Sequence, residues 1–201
     1  MSEAEKFQKY LGTQLVDHLG EGYIFLRSKL ELRQKGKESS NVIVLAGSNK
    51  YSPDVSVSFY VGRHFEEIKK VEKALGLEPM PYHIQQYSPN LQNMINHPNI
   101  GARHTWRINI NNPPESFPEE MCTAIRQISE PFFERFDTLE SSRDALAIND
   151  SWCFGGPAFW RSLLLFDAAL DDIHHFSKWA THLNSVEREQ AELLLARYKE
   201  I

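Results

Sequence analysis

The stretch DVSVSFYVG, residues 54–62, alternates apolar and polar side chains with a period of two. Val55, Val57, Phe59 and Val61 fall on one side, Ser56, Ser58 and Tyr60 on the other. A helix would scatter those valines around its axis, whereas a strand with one buried face uses them together. Upstream, YIFLRSKLELR (23–33) sets Ile24, Leu26, Leu30 and Leu32 against Phe25, Arg27, Lys29, Glu31 and Arg33, and NVIVLAG (41–47) is apolar almost throughout. The connecting segments KGKESSN and SNKYSPD are polar turns. Three consecutive strands so joined predict an antiparallel meander with one face covered. A later strand, ARHTWRINI (102–110), places Ala102, His104, Trp106, Ile108 and Ile110 on one side. Residues 79–100 are rich in Pro and Asn and read as loop, with a short strand near HIQQY.

Helical spacing brackets these strands. Phe7, Leu11, Leu15 and Leu19 recur every fourth residue over 3–19, before Gly20 and Gly22. Residues 64–75 place Phe65, Ile68, Val71 and Leu75 inward, with Gly76 as the expected C-cap. After NNPPE the chain becomes helical. Ser116 and Glu119 form a capping-box signature with Pro118 in the first turn, and Pro131 is expected to kink or end that helix. Asp137 and Glu140 repeat the cap pattern; GGPAFW opens an apolar helix through Leu170; Asn184 or Ser185 caps a last helix to Tyr198. Segregated strands and helices specify an α+β fold. The expected division is a helix plus antiparallel sheet of four to five strands over 1–115, with a helical part over 116–201 packed on it as one compact domain.

Composition narrows the function classes. The 201-residue chain has a formal net charge of −5, which argues against a general nucleic-acid binder. Cys122 and Cys153 are its only cysteines, too few for a disulfide framework. MSEAEKFQKY lacks the basic start and apolar core of a signal peptide, and no apolar run approaches the ~20 residues that span a bilayer. The expectation is a cytoplasmic protein with both thiols free, no cofactor and no membrane partner.

LDDIHHFSKWATHL (170–183) is the segment that most resembles chemistry. On a continuous helix Asp171 and His175 share a face, with His182 seven residues further on, and such a trio could ligate a divalent metal. It lacks the His-Glu-x-x-His form. The plainer account is a helix burying Leu170, Ile173, Phe176, Trp179, Ala180 and Leu183, with His174, His175 and His182 near solvent. His104, between Ala102 and Trp106, reads as a core histidine, and His64 as a polar residue at a strand-to-helix junction. Cys153 precedes a glycine pair and a helix start, where a thiolate would be favoured, but no histidine is tied to it by sequence. Nucleotide and hydrolase loop motifs are absent.

One constellation needs no motif. Arg27, Lys29 and Arg33, then Ser56 and Ser58, then Arg103, Arg107 and Asn109 fall on the polar phases of the strands. If those strands pair, an acidic protein has a basic sheet face able to receive an acidic protein surface or a phosphate; otherwise it is a solvated face partly neutralised by Glu31. The segments YIFLRSKLELR, VSVSFYVG and ISEPFFERFDTLES also resemble an uncharacterised bacterial domain family, loosely over residues 3–147. Its members combine a leading helix, a long meander and a PFFERFDTLES-like helix, and are regarded as immunity proteins that bind and block a toxin. The resemblance implies a binding role and carries over no site residues. The leading expectation is a non-enzymatic, immunity-like binding protein that recognises an acidic partner through Arg27, Lys29, Arg33, Arg103 and Arg107. The alternatives are a metal-dependent or acid/base enzyme using the C-terminal histidines, and a structural subunit that forms a homodimer through its helices.

Overall fold

The computed structural model describes residues 1–49, 54–85, 105–148, 150, 152–153 and 159–200. It is α+β, as the segregated periodicities require. In chain order come α1 (Glu3–Leu19), β1 (Tyr23–Leu26), β2 (Glu31–Lys35), β3 (Ser39–Ser48), β4 (Asp54–Phe65), α2 (Glu66–Ala74), β5 (Ile84–Gln85), β6 (Thr105–Asn109), α3 (Phe117–Arg135), α4 (Leu139–Ala147), α5 (Phe159–Ala169), α6 (Ile173–Trp179), a 3-10 turn (Ala180–His182) and α7 (Ser185–Lys199). The sheet is antiparallel in the order β1-β2-β3-β4; the far edge of β4 is shared by β5 at its C-terminal end and β6 at its N-terminal end.

Phe25, Leu32, Ile43 and Val61 are register partners in a row that faces the core. Leu11 and Leu15 of α1 and Ile125, Ile128 and Phe132 of α3 are fully buried in the same cluster as this row. One apolar cluster runs from Ala4 to Ala191, so the helices of the second half share the core of the first. Phe166 of α5 meets Phe65 edge-on at 5.6 Å, which ties the later helices to the end of β4. Among the described residues no helix is long and apolar enough to cross a membrane.

Several local expectations are corrected. Residues 23–33 are a hairpin, not one strand: Leu26 and Glu31 are the last partners, and Leu30 turns the chain at φ 55°. The Lys29 N–H closes the turn on the Leu26 carbonyl at 3.0 Å. The reversal inverts the phase of β1, so Phe25 faces α1 while Ile24 is 45% exposed. Arg27 and Lys29 are therefore turn residues. His64 lies within β4, and α2 starts two residues later. Ser116 makes no side-chain cap, and α3 continues through Pro131 to Arg135. The capping box before α4 belongs to Thr138 and Ser141 rather than Asp137 and Glu140. At the last helix Asn184 caps α7 with Glu187, as its sequence implies.

A candidate anion-binding cleft on the outer sheet face

The outer face of the sheet is built from the residues that alternate with the core-facing ones. Glu31 and Arg33 of β2 lie opposite Val44 and Val42 of β3, and His64 of β4 lies opposite Ser40. The segment 79–83 closes over this end. It can lie flat because Gly62 has no side chain: a Cβ there would sit 2.9 Å from the Cβ of Tyr82 and 3.1 Å from the Ile84 carbonyl. Three polar contacts pin it. The N–H of His83 donates to the Arg63 carbonyl at 2.8 Å, the N–H of Met80 to Glu72 Oε1 at 3.1 Å, and the N–H of Phe65 to His83 Nδ1 at 2.8 Å. Since His83 Nδ1 accepts, its Nε2 carries the proton, directed at Glu72 Oε2 3.4 Å away. Both side chains of that pair are fully buried. Burial holds His83 below the ordinary imidazole range against the pull of Glu72.

His64 stacks on the His83 ring with centroids 4.3 Å apart. Its side chain is 6% exposed, and Nδ1 lies 4.0 Å from Glu66 without a hydrogen-bond partner. Burial, with His83 and Arg33 adding to it, brings its pKa down to about 4, so the ring is neutral at pH 7. Beside these rings is a cleft of about 510 Å³ lined by Lys29, Glu31, Arg33, His64 and Lys69 and by residues 79–81. Arg33 is held within it: Nη2 donates to Glu31 Oε2 at 3.1 Å and to the Pro81 carbonyl at 3.4 Å, while Nε is buried and unpartnered. Lys69 pairs with Glu66 at 3.0 Å, outside the lining. Among the described residues of the lining, three cations stand against one carboxylate, a positive balance.

The sheet gathers only part of the expected basic face. Lys29 and Arg33 meet at this cleft. Arg27 leans instead toward α1, donating to Thr13 Oγ1 at 3.4 Å. Arg107 is opposite Ser56 and pairs with Asp54 at 3.2 Å. Arg33 aligns through Val42 with Gly62, so it and Arg107 are six residues apart along β4 and three strand spacings across the sheet. That is ~20 Å by ~14 Å, which is not one cluster. Arg103 and His104 lie outside the described residues. The sequence reading missed Lys69, Met80 and the depth of His64, because β2, β4, α2 and the 79–83 segment meet only in three dimensions.

The C-terminal histidines do not converge. Asp171 sits before α6 with φ 55°, so the helix that would align it with His175 does not exist there. His175 Nδ1 instead meets both oxygens of the buried Asp167 of α5, at 2.9 and 3.0 Å. Arg143 of α4 reaches Asp172 at 3.0 Å and Asp167 at 3.7 Å. Burial raises Asp167 to about 6 despite His175 and Arg143. His174 and His182 are exposed. Among the described residues no group of three or more His, Cys, Asp or Glu side chains is placed to hold a metal ion. This cluster joins three helices. Both cysteines are buried and free. Burial, assisted by Asp150, pushes the Cys153 thiol up to about 12, the opposite of an activated nucleophile.

No protein-family model matches the chain, and neither a curated protein nor a solved structure matches it.

Proposed function

We propose that this chain is a non-enzymatic binding protein, immunity-like in kind, that recognises an acidic partner at the β1–β2 end of its sheet. The observation that carries this reading is the convergence of Lys29, Arg33 and Lys69 on one cleft with Glu31 as the only carboxylate among the described residues of its lining. Arg33 is positioned by a strand and by its bonds to Glu31 and Pro81, and a pre-set guanidinium recognises carboxylates with little ordering cost. A local positive site on a molecule of net charge −5 orients an acidic partner during encounter, raising the association rate more than the affinity. Arg27 extends the basic surface at the same turn, on its α1 side. Arg107, remote and paired with Asp54, contributes less.

The test uses a partner recovered from the native cell and then purified. Lys29 and Lys69 are exposed, so Lys29→Glu with Lys69→Glu should leave the fold intact and weaken binding at least tenfold, about 1.4 kcal/mol. The wild-type affinity should fall with salt. Equal calorimetric affinities for wild type and double variant at low salt would sink the reading.

A further inference from the structure

The lining of the cleft has two unlike parts. Lys29, Arg33 and Lys69 form the first, with Glu31; Pro79, Met80 and Pro81 form the second. An inorganic ion would use the cations and leave Met80 and its prolines in water. A hydrocarbon would cover the apolar part and strip water from three cations, at the cost of their hydration. A ligand that satisfies both parts carries an anionic group on an apolar body. The volume of about 510 Å³ falls in the range of about 300–1,000 Å³ typical of small organic ligands.

We infer that this cleft is a binding site for a small organic anion, a carboxylate or phosphate on an apolar body, with its charged end at Lys29, Arg33 and Lys69 and its body against Met80 and the flanking prolines. The site is preorganised. Glu31 and the Pro81 carbonyl hold Arg33, and the bond from the Met80 N–H to Glu72 fixes the apolar part. His64 lines the same cleft, while its unpartnered Nδ1 is buried beside Glu66, so the ring serves as a wall of the site. Being neutral, the ring neither repels nor attracts the anion as a charge. The inference goes beyond the acidic-partner reading, and each can fail alone, because partner affinity is measured with no small anion present.

The experiment is methyl NMR on the full chain labelled at its methionines. Met80 reports the cleft, and Met121, fully buried in the core, is the internal control. The probes are 3-phenylpropionate, phenyl phosphate, the neutral 3-phenylpropanamide and inorganic phosphate. Either or both organic anions should shift the Met80 resonance saturably without moving Met121, and whichever binds tighter identifies the preferred head group. The amide and inorganic phosphate should need at least tenfold higher concentrations. Lys29→Gln with Lys69→Gln, two exposed positions, should weaken the organic anions at least tenfold at an unchanged urea midpoint. The inference is overturned if neither organic anion moves Met80 saturably, if the amide binds as well as the carboxylate, or if inorganic phosphate matches phenyl phosphate.

Discussion

Gly62 determines how closely the 79–83 segment can lie on the sheet, and so whether the cleft has its apolar part. Its backbone is not in the left-handed region, so the constraint is space alone: Tyr82 and the Ile84 carbonyl occupy the room a methyl would need. The carbonyl belongs to β5 and cannot rotate away as a side-chain tip would. Gly62→Ala should therefore cost about 1–3 kcal/mol, as overpacking does, and should expose the Met80 and His83 amides, both hydrogen-bonded in the wild type. Urea denaturation with hydrogen exchange measures both; a variant as stable as wild type, with equal protection of the His83 amide, would show that the segment is not held by this contact. Glu31 and Arg33 impose a related constraint. Their side chains are 4% and 14% exposed, so removing either leaves a poorly solvated charge behind, and the exposed lysines are the better probes of binding.

At the scale of elements, α3 carries Pro131 in its interior. Proline lacks the N–H that would bond the carbonyl four residues earlier. The helix continues because Ile128, Phe132 and Phe136 are fully buried on either side of it, the two phenyl rings 4.7 Å apart. Helix propensity favours alanine by ~3 kcal/mol, and a more flexible unfolded chain takes back up to ~1 kcal/mol. Pro131→Ala should thus stabilise the protein by roughly 1–2 kcal/mol, raising the urea midpoint at unchanged slope; a lowered midpoint would mean that the proline ring is required for packing. The same helix shows how far sequence goes. Its apolar spacing was legible, whereas its passage through Pro131 depended on contacts that spacing does not reveal. The 27–30 turn was hidden for a different reason. It contains no glycine, proline or asparagine, and a leucine adopts the left-handed conformation that those residues normally announce. Strand periodicity was sound wherever the pairing ran on, as in β4. At α6, Asp171 broke a helix that the spacing treated as continuous. The cleft itself was half visible, since Lys29 and Arg33 were readable as basic strand-phase residues, but no local pattern brings Lys69 or His64 to them.

For the whole molecule, two buried groups set opposing pH dependences. His64 has a pKa near 4 when folded, against 6.5 ordinarily. The unfolded chain takes up that proton first, so the contribution of His64 is complete above pH 6.5 and is lost as the pH falls toward 4. The downward displacement of His83 acts in the same direction. Asp167 is raised from 3.8 to about 6. Here the folded state takes up the proton first, so its contribution is complete below pH 3.8 and is lost as the pH rises through 6. Each effect is on the order of 2–3 kcal/mol, and they largely offset one another between pH 4 and 6. Asp167→Asn should therefore lose stability more steeply than wild type on acidification across that window, and His64→Gln less steeply. Urea midpoints at half-unit intervals decide it, and parallel curves for all three proteins would refute the assignment. The order of the elements along the chain has a further consequence, in time. The meander is complete at Phe65, but α3, which covers the same apolar face, ends 70 residues later at Arg135. At synthesis rates of about 5–20 residues per second, that face waits roughly 4–14 s for its second long helix, with α1 and the short α2 to shield it from neighbouring chains.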